Sequence, residues 1–184
     1  MTILDPVAEP YALALLECLR TEIAETINPP QQVCMRPGDQ VSFLIALNKD
    51  ECCNGLAWVR VGAVYPSGEE FPQPDETPSN CGPLGWAVTL ELGSARCAPT
   101  GSAQEVPTCA EWTQLSAELM SDDAAFRRAI MCCFADANID NDGVGVQFMI
   151  GASENLPIEG GCTGITRSLV VRAPNSDCCS VESP

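Results

Sequence analysis

The chain has 184 residues, enough for one domain with a sizeable core and too few for two. It carries 25 acidic and 9 basic residues for a net charge of −16, has no histidine, and devotes 12 positions to cysteine. These counts exclude Ser–His and Cys–His catalytic pairs, histidine-ligated zinc and an imidazole base, and the charge opposes stable binding to phosphate backbones or anionic lipid.

The first ten residues, MTILDPVAEP, contain no basic side chain, and Arg20 is the first base. An uncleaved secretory signal is therefore not expected, and the initiating Met favours synthesis in the cytosol. No apolar run approaches the roughly 18 residues of a membrane helix. Over residues 9–27, Tyr11, Leu15, Leu16, Leu19, Ile23 and Ile27 recur at three- and four-residue steps, which predicts an amphipathic helix. Pro10 belongs in its first turn, Asp5–Pro6 supplies a preceding cap, and Asn28-Pro29-Pro30 ends it.

A β region follows. Residues 40–47 place Val41, Phe43, Ile45 and Leu47 on one face, and residues 56–64 set Ala57, Val59, Val61 and Ala63 opposite Trp58 and Arg60. The link between them, 48–55, is too long for a tight turn. Residues 66–83 hold five prolines and four acids, an extended acidic loop of the kind that is functional or mobile. Strict alternation over 85–96 (Trp86, Val88, Leu90, Leu92) predicts a strand.

Thr108-Cys-Ala-Glu111 has the spacing of a capping box, and Trp112, Leu115 and Leu119 form a stripe behind it. Ser121-Asp122-Asp123 reads as a break and second cap, so 108–135 is expected to be two short helices or one kinked helix. Strands are expected at 144–150 and 164–172, joined by a link containing Glu159-Gly160-Gly161-Cys162, with a frayed tail over 174–184. The expected fold is a single α+β domain over 1–173: a mostly antiparallel sheet of about five strands, with an N-terminal helix and one or two helices packed on it.

The even cysteine count permits disulfides without fixing their pairing. Cys52, Cys53, Cys81, Cys97, Cys162, Cys178 and Cys179 fall in loops or near strand ends and are the better candidates. Cys18, Cys109, Cys132 and Cys133 fall on helices, where a buried thiol serves as a small apolar residue. In the cytosol all twelve would be reduced. No C-x-x-C occurs, so the usual all-cysteine zinc knuckle is missing. The run from Asp136 to Gly143 has the opening of a calcium loop, but counting from Asn138 places Met149 where a bidentate Glu is required, and a polar turn is the plainer reading. Glu159–Gly164 has no lysine and precedes a strand, so it is not a phosphate loop. Acids are abundant enough for chance pairs; no catalytic residue, metal or cofactor is expected. Arg127, Arg128, Arg167 and Arg172 are the positive spots, either paired within the chain or set against a neighbour's carboxylates. Glu69 and Glu70 in the acidic loop are contact candidates of the opposite sign.

Several segments together resemble a known group: the helix ending at Asn28-Pro29-Pro30; Cys52-Cys53-Asn-Gly-Leu-Ala-Trp58-Val-Arg60-Val; Val64-Tyr65-Pro66 with Phe71-Pro72-Gln-Pro74; Leu90-Glu91-Leu92-Gly93 with Arg96-Cys97-Ala-Pro99; Pro107-Thr-x-x-Glu111-Trp112; and the strand after Gly160-Gly161-Cys162. The pattern resembles neck proteins of long-tailed actinobacteriophages, the tail terminators or head-to-tail connectors, over roughly residues 10–172. The long acidic 66–83 segment and the high cysteine count depart from it. The resemblance implies a non-enzymatic virion protein, assembled in the host cytoplasm as a homo-oligomeric, hexameric ring. Its partners would be the adjacent stopper and tail tube proteins, with DNA passing through unbound and no membrane contact. Another connector ring, stopper or adaptor, is the alternative within the family. Outside it stand a secreted, disulfide-stapled binding domain and a calcium-dependent or hydrolytic enzyme centred on 136–143.

Overall fold

The computed structural model describes residues 5–37, 53–75, 85–99, 106–134 and 146–174. Two helices pack on one face of a five-stranded sheet, an α+β architecture. The elements are α1 (Glu9–Ile23), β1 (Gln32–Met35), β2 (Leu56–Ser67), β3 (Gly85–Cys97), α2 (Cys109–Phe134), β4 (Phe148–Glu159) and β5 (Cys162–Ala173). The strand order is β1-β2-β3-β5-β4, antiparallel throughout except for the parallel β1–β2 pair at one edge.

Helix α1 has Pro in its first turn, where the missing N–H costs nothing. Asp5 accepts from the backbone of Val7 (2.9 Å) and Ala8 (3.2 Å) just ahead of it. The helix ends at Ile23, four residues short of expectation. Glu25 N donates to Glu22 O, Thr26 N to Ile23 O, and the Thr26 hydroxyl to Ile23 O, a tightened last turn that satisfies the final carbonyls. Ile27, the last member of the apolar repeat, is left exposed.

Helix α2 is one unbroken element of 26 residues, not two. The Asp122 and Asp123 carboxylates do not turn back onto their own backbone as caps; arginines from the sheet take them. Strand β4 begins at Phe148 and runs through residues that read as a link, because Ser153, Glu154 and Asn155 lie on a sheet-edge strand whose outer side has no burial to demand apolar residues. The β4–β5 turn is Gly160-Gly161, with φ of 60° and 83°. Two successive left-handed residues suit the hairpin turn that follows strand twist, and glycine adopts them without steric cost. Strand β2 extends to Ser67, taking in two residues assigned to the acidic loop. Strand β1 carried no alternation signal, being four residues long beside two prolines. The expected strand at 40–47 and the tail at 175–184 lie outside the described residues.

Between sheet and helices lies one core, built from Leu15, Leu19 and Ile23 of α1, Phe126, Ile130 and Phe134 of α2, and inward residues such as Val59, Leu90, Leu92 and Leu169. On the sheet's other face Trp58 is fully buried with Leu56, Ala95 and Cys162. Its indole lies over Gly93, where a Cβ would stand 2.2 Å from the ring, so only glycine leaves room for it. Beside it on that face Arg60 holds its cross-strand partner Glu91 through two hydrogen bonds of 2.7 Å.

Candidate interaction surface

The midpoint of α2 is fixed to the sheet by two buried ion-pair clusters. Asp122 is completely buried and accepts from Ser94 Oγ at 2.7 Å and Arg96 Nε at 2.8 Å. Arg96 also donates to the Asn28 carbonyl, tying in the turn after α1. One residue on, Asp123 accepts from Arg167 Nε (2.9 Å) and Nη2 (3.0 Å) and from Arg127 Nη1 (2.9 Å). Arg167 Nη1 then reaches the Gly151 carbonyl on β4 at 2.9 Å. Buried charges persist only when paired and hydrogen-bonded, and here each Asp takes fork-like contacts from an arginine. Asp123 is shared by two guanidiniums, so this cluster keeps one positive charge in excess.

Ahead of that anchor, α2 overhangs. From Cys109 to Met120 only Leu115 is buried. Of the stripe, Leu119 packs against the core and Leu115 is buried, while Trp112 stays exposed across from the β4–β5 hairpin and borders an open groove of about 700 Å³. Pro157, Ile158 and Ile165 form the opposite wall, and Asp123 with Arg127 stands at the inner end. Trp112 is 37% exposed, Met120 66% and Ile158 53%. Apolar side chains this exposed, gathered around one groove and rimmed by polar groups, mark an interaction surface.

The overhang is held helical by its cap. Thr108 N and Oγ1 both donate to Glu111 Oε2 (2.7 and 2.8 Å), and Glu111 N donates back to Thr108 Oγ1 (3.3 Å). The Thr108 backbone N–H foremost, and then its hydroxyl, hold the Glu111 carboxyl below the ordinary glutamate range, with desolvation opposing. A smaller polar cavity of about 240 Å³ lies near α2's first turns, between Glu111, Glu118 and Arg96 and beside Cys97.

Of the contact candidates, Arg127 stands at the groove with its side chain 55% exposed, and Arg128 pairs with Glu22 of α1 at 2.7 Å. Arg172 is bound to Gln147 Oε1 at 3.0 Å. Arg167 is 9% exposed and occupied inside the molecule, so it does not stand where a subunit contact requires. Glu69 and Glu70 are exposed in the turn after β2. Among the cysteines, Cys53 bridges Cys97 and Cys162 is disulfide-bonded. Cys18 and Cys133, read as core thiols, bridge α1 to α2: the helix positions that bury them also bring their Cα atoms to 5.9 Å, within disulfide range. Cys34, Cys109 and Cys132 are free. Cys52, Cys81, Cys178, Cys179 and the calcium-like run at 136–143 lie outside the described residues.

Sequence reasoning gave Arg96 no role, read Asp122 and Asp123 as a helix cap, and left Arg167 between pairing within the chain and a subunit contact; the structure pairs Arg96 with Asp122 and Arg167 with Asp123. Their signal was alternation: Arg96 follows Leu90, Leu92 and Ser94 on the inward face of β3, and Arg167 sits between Ile165 and Leu169 on that of β5. Arginine on a buried face calls for an acid on the covering helix. Among the described residues no three His, Cys, Asp or Glu side chains are placed to hold a metal, and no helix is long and apolar enough to cross a membrane.

No family model matches the chain, and no curated protein matches it. A solved structure described as the virion of a native gene transfer agent (GTA) particle is similar at 12% identity and a TM-score of 0.38, over 90% of this chain and 97% of that one. A likeness at that level carries no argument for a shared fold.

Proposed function

We propose that the protein is a structural component of a phage-like virion, and within it a neck ring, the tail terminator that caps the tail tube and joins it to the head. In this reading it catalyses nothing and acts by occupying a place between identical and non-identical neighbours. The observation that carries it is the overhanging half of α2. Twelve residues of helix are kept ordered by a capping box, yet they present Trp112, Met120 and the groove wall to solvent. A monomer gains little from such a projection; a subunit that meets a neighbour buries it. The motif resemblance supplies the neck assignment, and the net charge of −16 suits a channel through which DNA slides without adhering. A stopper or adaptor ring is served by the same surface.

The test is the native mass of the purified full chain together with electron microscopy of particles carrying it. A closed ring at the head–tail junction is the expected result. A chain that stays monomeric at every concentration and is absent from particles overturns the reading. The disulfides favour a second reading, an exported binding domain, since such bonds persist in oxidising surroundings. It predicts that the chain fails to fold when made and kept under reducing conditions, whereas a virion protein assembled in cytosol folds first with free thiols.

A further inference from the structure

We propose that the groove between α2 and the β4–β5 hairpin receives the Glu69–Glu70 turn of a second copy of this chain, in a head-to-tail contact. The inference rests on the ring reading above and names the surfaces that would build it.

The two surfaces lie at opposite ends of the sheet. The turn follows β2 where Ser67 pairs with Gly85 and β5 finishes at Ala173. The groove lies at the other end, beside the β4–β5 turn and the Cys97–Cys162 pairing. Between them β3 runs 13 residues, a span of roughly 40 Å at the usual strand rise. One copy cannot place its own turn in its own groove. A contact between unlike surfaces at opposite ends is heterologous, and repeated it closes a ring or extends a filament.

Charge and shape agree with the match. At the inner end of the groove, Asp123 is shared by Arg127 and Arg167, leaving one positive charge beside apolar walls in a chain of net charge −16. Arg127 is half exposed and has donors to spare. The turn presents Glu69 and Glu70, both exposed and with no ion-pair partner for their carboxylates among the described residues, next to Phe71, Pro72 and Pro74. An acid on an apolar, proline-rich tip is what Arg127, at the inner end of a groove bordered by Trp112 and Ile158, would select.

The turn is also held in shape before docking. Tyr65 Oη donates to Pro72 O at 3.0 Å, Ser67 Oγ to Gln73 O at 2.9 Å, and Asp75 N to Pro66 O at 2.9 Å. A loop already held in one form loses little conformational freedom on binding.

Sedimentation and native mass spectrometry of the full chain test the contact, with four variants checked for folding by circular dichroism: Arg127→Glu; Glu69→Arg with Glu70→Arg; all three changes combined; and Ile158→Glu on the exposed groove wall. Each of the first two, and Ile158→Glu, should raise the concentration for half-assembly by about tenfold or more. The combined charge exchange should return it to within about threefold of the wild type. If the wild type assembles and the folded variants assemble equally well, this contact is overturned while the ring reading stands. If the wild type never assembles, the ring reading falls and the contact with it.

Discussion

Asp122 shows how a single side chain fixes the register of helix on sheet. It is fully buried, and its partners Ser94 and Arg96 come from one strand. Removing only its charge, in Asp122→Asn, strands the Arg96 guanidinium at 2% exposure and should cost about 3–5 kcal/mol. Replacing both partners, Asp122→Leu with Arg96→Met, should cost far less than the sum of the two single changes, because no buried charge is left over. Urea unfolding of the four species decides this; additive losses would mean that the pair contributes only through packing. Glu111 is the contrasting case, exposed and acting through the cap. Its carboxyl titrates lower in the folded chain because Thr108 donates to the ionised form. A lowered folded value means that its contribution is present above the ordinary glutamate range and is lost as pH falls through the lowered one. The overhang of α2 should therefore fray on acidification, with amides near Thr108 losing exchange protection before those near Phe126. In Glu111→Gln that acid-side step should be absent.

At the scale of elements, the two helices are joined to each other as well as to the sheet. Cys18–Cys133 closes a separation of 115 residues, and Arg128–Glu22 runs alongside it. Cross-linking so distant a pair restricts the unfolded chain strongly, so Cys18→Ala with Cys133→Ala should lower stability by about 2–5 kcal/mol. Reduced wild-type protein should lose at least as much, since reduction also opens Cys53–Cys97. A variant as stable as the oxidised wild type would show the bond to be dispensable. The same elements show what the sequence alone conveys. Strand β3 and the start of α2 were legible because strict alternation and a capping box are local patterns. The unbroken run of α2 was not, because Asp122 and Asp123 stop a helix when they cap it and continue one when distant arginines hold them. The continuation of β4 beyond Ile150 was hidden for a related reason: an edge strand with a polar outer side carries half the usual pattern. The groove was legible only as the stripe Trp112, Leu115 and Leu119; that the groove stays open depends on how far α2 runs beyond its anchor.

For the whole molecule the decisive quantity is charge. Copies carrying −16 each repel at long range, while the proposed contact attracts locally through Arg127. Salt affects the two unequally. At about 0.01 M ionic strength the screening length is roughly 30 Å, comparable with the length of the sheet, and at about 0.15 M it is roughly 8 Å. Repulsion summed over the whole surface is therefore cut heavily by modest salt. An ion pair that is partly buried on docking loses much less, because its charges lie within a few Å of each other and out of bulk solvent. Assembly should consequently tighten as sodium chloride rises from about 20 to about 200 mM, opposite to the behaviour of an oligomer held by exposed salt bridges alone. Sedimentation across that range reads it directly. In Arg127→Glu the local attraction becomes repulsion, so assembly should be weaker at every salt concentration and rise more steeply with salt. A wild type that dissociates as salt is added would mean that the acidic surfaces face away from one another in the assembly, and that attraction between opposite charges, not apolar burial along α2, holds the copies together.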